Sequence, residues 1–300
     1  MSNFNLINPE IETPSPKAKG FLPKRENVQL ACPANDLRLQ KIGEFVFAQP
    51  KLNGERCRIE WISGKPHLIS SYGNEFQFIE HIQEALLSTP IHKNVPYDGE
   101  IYIHGWPRER IDSALRRTKN RNPEVEKLQF HIFDIQRYDH KQTIRYQELQ
   151  YHKKYFTNPL YLVPTDIIRS QDWTKAVAEY VSQDYEGAIF RNPEALYTSK
   201  RSTKIMLKSK PTKKDVYLIL GIEEAISQEG VPKAMIGSFL VIGGDNSPFK
   251  VGAGKLSHKE RKALWQSRKI LIGKKLLVKH EELKTINNIP IAAVAVEVIV

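Results

Sequence analysis

Short runs rich in β-branched and aromatic residues alternate, from Val28 to about residue 211, with stretches whose apolar positions recur at helical spacing. Residues 44–47 and 58–62 read as two strands, because Val, Ile, Phe and Trp suit a pleated, half-buried surface. Between them lies a break, and Lys51 falls inside it, three residues ahead of Gly54. A strand is expected at 66–72, closed by a turn at Gly73, and Phe78, Ile82, Ala85 and Leu86 then share one helical face. In 95–103, alternation places Asp98 and Glu100 on the same side of a strand. Residues 128–135 alternate likewise as far as the acid Asp134, and helical spacing returns at 146–156 and 173–182. A strand follows Gly187, and another carries Lys208 and Lys210 on one face.

Beyond Pro211 the pattern changes. Residues 211–215 read as a polar linker, after which strands are expected at 216–222, 236–242, 249–251, 274–280 and 292–300, with one helix at 257–267. Five short strands and one helix in about 85 residues is the pattern of a small β-barrel of the OB type. The chain therefore reads as α+β with two domains, 28–211 and 212–300, after a proline-marked lead-in at 1–27.

Charge narrows the class of partner. With 45 Lys and Arg against 34 Asp and Glu, the net charge is +11 and the pI about 9.4. Such an excess points to a polyanion, either nucleic acid or an anionic membrane surface. No stretch approaches the roughly 18 apolar residues of a membrane span. The opening residues have neither the basic start nor the apolar core of an export signal, so a cytoplasmic location is expected. Cys32 and Cys57 are too few for a disulfide framework and read as buried or inert thiols. Neither they nor the nine histidines show zinc-ligand spacing. Residues 106–121 concentrate Arg108, Arg110, Arg116, Arg117, Lys119 and Arg121, and both a solvated helix face and a phosphate-contacting surface fit this run.

The candidate chemistry starts at Lys51-Leu-Asn-Gly-Glu-Arg56. Gly54 permits a tight approach of a ligand, and Arg56 can set a fixed cation beside the lysine. A neighbouring cation and partial burial favour the neutral, nucleophilic amine. K-x-x-G-x-R alone fits a solvated lysine in a hairpin loop equally well. Four further elements follow: Asp98-Gly-Glu100, Phe133-Asp134, Glu186-Gly187-Ala-Ile-Phe-Arg191 and Leu207-Lys208-Ser-Lys210. Taken singly, Phe133 is a core aromatic, Glu100 and Glu186 are strand-edge acids, and the two lysines are a solvated face.

In this order the five elements resemble the motifs of minimal bacterial and phage ATP-dependent DNA ligases, within the superfamily that also holds RNA ligases and mRNA capping enzymes. Lys51 to Arg56 is similar to K-x-D-G-x-R, Asp98 to Glu100 to D-G-E, Glu186 to Arg191 to E-G-h-h-h-R, and Leu207 to Lys210 to L-K-x-K. Gly237-Ser-Phe-Leu-Val, Val251-Gly-Ala-Gly254 and Ser257-His-Lys-Glu-Arg261 are similar to the second domain of small DNA ligases. The resemblance, over about residues 28–300, implies a two-domain nucleotidyltransferase: an ATP-grasp-like adenylylation domain of antiparallel sheets and helices, then an OB-fold barrel.

It also implies site roles. Lys51 would be the nucleophile that takes AMP from ATP. Arg56, Glu100, Phe133, Glu186, Arg201, Lys208 and Lys210 would bind the nucleotide, with Phe133 on the purine and Glu100 on the ribose. Glu186 and Glu100 would hold Mg²⁺. Arg56, Arg108, Arg116, Arg117 and Arg201 would contact DNA, and a monomer acting on nicked duplex DNA is the expected form.

Three positions depart from the family pattern. Asn53 stands where the family has aspartate, Ser71 where it often has a phosphate-contacting arginine, and the C-terminal segment from Ile289 contains no arginine. A basic residue from Arg108 to Arg121 is expected to supply the charge missing at Ser71, and Lys279, Lys284 or another cation the charge missing near the C-terminus, failing which the first step is slow. An RNA ligase, a capping-type enzyme and a non-catalytic nucleic-acid binder are the alternatives. An NAD-dependent ligase is not expected, because the lead-in before Val28 is too short for another domain.

Overall fold

The structure is a computed structural model and describes residues 27–90, 95–243, 247–281, 289–290 and 292–299. Lys284, Val300 and nearly all of the expected lead-in lie outside the described residues. The chain divides into two compact units that interleave in sequence. The first takes residues up to Leu30, Gly54–Leu162 and Leu196–Arg201, and the second takes Ala31–Asn53, Val163–Ala195 and Ser202–Val300.

In chain order the strands are β1 (Cys32–Pro33), β2 (Phe45–Lys51), β3 (Glu55–Ile62), β4 (Lys65–Ser70), β5 (Tyr97–Tyr102), β6 (Gln129–Ile135), β7 (Leu160–Leu162) and β8 (Asp166–Arg169). They continue with β9 (Gly187–Arg191), β10 (Met206–Ser209), β11 (Lys213–Ile226), β12 (Pro232–Ile242), β13 (Pro248–Gly252), β14 (Lys275–His280) and β15 (Val294–Ile299). The helices are α1 (Asp36–Ile42), α2 (Glu80–Ser88), α3 (Arg108–Leu115), α4 (Gln142–His152), α5 (Trp173–Ser182), α6 (His258–Gln266) and α7 (Arg268–Leu271).

The first unit is organised by the sheet β4-β3-β5-β6-β7. Ser63 and Gly64, both at positive φ, turn β3 back into β4, the backbone that a two-residue hairpin loop requires. Cys57, Ile59, Leu68, Ile101, Phe130 and Ile132 are fully buried in or against this sheet. Gly54 sits so close to β5 that a Cβ there would meet the carbonyl oxygen of Ile101. That contact explains the glycine of the lysine motif.

The second unit contains the sheet β1-β10-β9-β2-β8 and a closed barrel, β11-β12-β13-β15-β14. Leu39 and Ile42 of α1, with Ala176 and Tyr180 of α5, pack with Val46, Ala48, Ala188, Phe190 and Leu207 of the sheet in one core. Asn35 caps α1 by accepting from the N–H of Arg38 at 2.9 Å. The barrel closes through parallel pairing of β13 with β15 at Gly252 and Val294. Ile219, Ile236, Phe239, Val241, Val251, Leu276, Val278 and Ala295 fill its interior, and α6 starts with a capping box formed by Ser257 and Glu260.

Several boundaries differ from the sequence reading: α4 spans Gln142–His152 rather than 146–156, β12 starts at Pro232 rather than 236, and β10 ends at Ser209, before Lys210. Lys51 is the last residue of β2 rather than part of the break. Pro50 is accommodated because β8 pairs only with Phe45–Ala48, which leaves Pro50 paired on one side alone. The residues expected as a linker are already strand from Lys213, which pairs with His280. A polar face does not interrupt a strand whose ladder partners are in place. Among the described residues no helix is long and apolar enough to cross a membrane.

Candidate active site

Strand register brings the lysine and a carboxylate together. Lys51 of β2 lies opposite Gly187 of β9, and the Glu186 N–H donates to the Lys51 carbonyl at 3.0 Å. Gly187, at φ +151°, lies so close to β10 that a Cβ would strike the carbonyl oxygen of Ser209. Only glycine allows this approach, and through it Glu186 arrives between two lysines. Its Oε2 meets Lys51 Nζ and its Oε1 meets Lys210 Nζ. The three side chains are 20%, 13% and 19% exposed for Lys51, Glu186 and Lys210.

The cluster is a lysine–carboxylate–lysine bridge with a further acid at one end. Lys210 also donates to Glu281 at 2.8 Å. Burial works against the Glu186 charge, but Lys51 and Lys210 outweigh it and hold the carboxyl below the usual range. Lys210 is pushed up: burial opposes its charge, and Glu186 and Glu281 overcome that opposition. Lys208 lies half-buried on β10 opposite Ile189. Arg191, which closes the glutamate motif, is buried and donates to Gln49 at 2.8 Å.

In the first unit a second cluster forms around a buried acid. Arg56 of β3 pairs in register with Glu100 of β5 and forks onto fully buried Asp98, Nε to Oδ1 at 3.0 Å and Nη2 to Oδ2 at 2.5 Å. Its Nη1 donates to the Gln29 carbonyl at 2.5 Å, and its guanidinium lies 5.3 Å from the Phe133 ring centroid. Burial opposes the Arg56 charge, but Asp98 more than compensates. Tyr197 donates to Asp98 at 2.8 Å, and its hydroxyl is pushed up by burial and by that acid. The Arg56 charge is taken up by Asp98, and Lys51 pairs with Glu186.

The basic run is spent differently. α3 ends at Leu115, so Arg116, Arg117, Lys119 and Arg121 follow the helix. Arg108 pairs with Glu55 and Asp112, Arg116 with Glu55 at 3.4 Å and Asp112 at 3.2 Å, and Arg121 with Glu126. Arg110 pairs with Glu124 and lies 3.7 Å from the Trp106 ring centroid. Arg117 and Lys119 are exposed and have no ion pair among the described residues, and the same holds for Arg201, whose backbone bridges to Leu30. Ser71 is buried at 3% exposure, which fits its lack of charge.

Several partners carry no local signal in the sequence. Asp98 was visible only as part of a motif, not as the acid that fixes Arg56. Tyr197, Gln29 and Glu281 were not singled out at all, since each reaches its partner across strands distant in the chain.

A family model described as ATP dependent DNA ligase domain matches residues 29–210, more than half of the chain, and the chain belongs to this family of enzymes. No curated protein sequence matches it. Among solved structures, one named Pmar-Lig_PreS3 is 18% identical with a TM-score of 0.78, over 90% of this chain and 67% of that one. A Lig E DNA ligase described as binding DNA with a minimal scaffold is 22% identical with a TM-score of 0.73, over 91% of this chain and 99% of the other. The ATP-dependent DNA ligase of bacteriophage T7, in complex with ATP, is 13% identical with a TM-score of 0.54, over 91% and 98%. At these identities the likeness is one of fold.

Proposed function

We propose that this ATP-dependent DNA ligase seals nicks in duplex DNA through a lysyl-AMP on Lys51. The observation that carries the reading is the sharing of Glu186 between Lys51 and Lys210. Lys51 attacks the α-phosphorus of ATP: a P–N bond forms, the bond to the β-phosphate oxygen breaks, pyrophosphate leaves with the electron pair, and the amine gives up a proton. AMP then passes to the 5′-phosphate at the nick, and the adjacent 3′-hydroxyl displaces it.

The contact of Lys51 with Glu186 is an ammonium–carboxylate pair, and attack needs the neutral amine. It is therefore the resting arrangement. Charge developing on a transferring phosphoryl group is stabilised mainly by fixed, preorganised cations. We assign that role to Lys208 and Lys210, with Arg56 held in one orientation by Asp98 and Gln29. Phe133 is assigned to the adenine and Glu100 to the ribose hydroxyls.

Mg²⁺ enters this reading as part of the substrate, MgATP, where it neutralises triphosphate charge. Among the described residues no three His, Cys, Asp or Glu side chains converge on a metal position. One or two carboxylates plus phosphate oxygens and water are how Mg²⁺ is ordinarily held, and the family resemblance assigns that part to Glu186 and Glu100. For the organisation of the chain we propose an adenylylation domain over 28–211 and an OB-type barrel over 212–300. Exposed Arg117, Lys119 and Arg201, with Arg108 and Arg116, are proposed to meet DNA phosphates.

Incubation with ATP labelled at the α-phosphate tests the reading. Label should appear on Lys51 as an acid-labile phosphoramidate and be absent in Lys51→Ala. Label on another residue would overturn the assignment.

A further inference from the structure

Lys210 touches two carboxylates, and the lysyl-AMP chemistry accounts for only one. Glu186 belongs with Lys51. Glu281 belongs to the barrel, one residue past the end of β14. The chain passes from β10, ending at Ser209, to β11, starting at Lys213, and Lys213 pairs at once with His280. The first rung of the β11–β14 ladder thus delivers Glu281 to Lys210, with 2.8 Å between Nζ and Oε2. His280 is buried and hydrogen-bonded through Nε2 to Asp215 at 2.7 Å, which fixes the strand end from which Glu281 projects.

The two acids are held unequally. Glu186 bridges two lysines and is tied through its own N–H to the Lys51 carbonyl. Among the described residues Glu281 contacts Lys210 alone, and it is the more exposed, at 31% against 13%. A phosphate oxygen arriving at Lys210 would add a third anion to an ammonium that already meets two carboxylates. The less anchored carboxylate is the one that yields.

We propose that Glu281 is a positioning residue that occupies Lys210 until a nucleotide phosphate replaces it, so that filling the site also releases the barrel's hold on that lysine. This rests on the reading of Lys210 as a phosphate ligand. Glu281 is then a competitor built into the chain, lowering affinity for ATP without taking part in the transfer.

The test is the rate of Lys51 adenylylation against ATP concentration, in the full chain, for the parent, Glu281→Gln and Glu281→Asp. Removing one competing, half-exposed ion pair should lower KM for ATP by about two- to fivefold and leave the saturating rate within about twofold. Glu281→Asp keeps the charge and should keep the parent KM. An unchanged or raised KM in Glu281→Gln overturns the proposal, and a lowered Tm with unchanged KM makes Glu281 a structural clasp and nothing more. Absence of adenylylation in the parent overturns the lysyl-AMP reading and this proposal together.

Discussion

Two basic regions of this chain use their charge in opposite ways. Around Lys51 and Lys210, the cations come from strand ends and face one largely buried carboxylate fixed by the backbone. Between Trp106 and Arg121, six cations crowd a short stretch, yet Arg108, Arg110, Arg116 and Arg121 are matched with acids, most of them on the surface. The count of charges is larger in the second region, and the concentration of chemistry is in the first. Burial makes the difference: screened pairs near water are worth little, whereas half-buried pairs keep their strength and their geometry.

The contrast is broken most severely at Lys51. Lys51→Ala should abolish enzyme-bound AMP altogether, read as loss of the adenylate mass increment on the intact protein. Glu186→Ala comes next. It leaves Lys51 and Lys210 without their shared carboxylate, and adenylylation should fall by about 10²-fold, the scale of losing one preorganised electrostatic contact. Glu124→Ala, which strips Arg110 of its partner on the exposed run, should leave both adenylylation and Tm unchanged.

The pH dependence sharpens the same comparison. The Glu186 carboxyl lies below its ordinary value of 4.5 because of the two lysines, so its contribution to stability is fully present above that value. It is lost as pH falls through the lowered folded-state value. The Tm gap between the parent and Glu186→Gln should therefore be widest above about pH 4.5 and close on acidification. A gap that widened in acid would contradict the sign.

The smallest effect separates residues within the basic run. Arg117→Ala removes a cation with no ion pair among the described residues and should reduce the slope of log affinity for DNA against log salt by about one. Arg108→Ala removes a cation already shared with Glu55 and Asp112 and should change the slope less. Equal changes would show that the cis acids let go when DNA binds.

The local half of this architecture was readable from the chain. Alternation placed Asp98 and Glu100 on one strand and predicted the strand that carries Lys208, although it ends at Ser209, one residue short of Lys210, while helical spacing located α5 and α6 within a residue or so. The rest depended on partners far away in sequence. Lys51 and Glu186 are 135 residues apart, and Arg56 and Asp98 are 42. Periodicity reports which face a residue takes, not which strand lies beside it. Lys51 reads as part of a break because nothing local shows that β9 lies beside it. The arginines after Trp106 read as free charge because, apart from Asp112, their acids Glu55, Glu124 and Glu126 precede or follow the run.

The most direct test of the whole account is sealing of a singly nicked duplex by adenylylated protein with no ATP added. One chain carrying AMP on Lys51 should seal at most one nick and then stop, and Lys51→Ala, which cannot be charged, should seal none. Continued turnover without ATP, or sealing by Lys51→Ala, would contradict a mechanism that passes through AMP on this lysine.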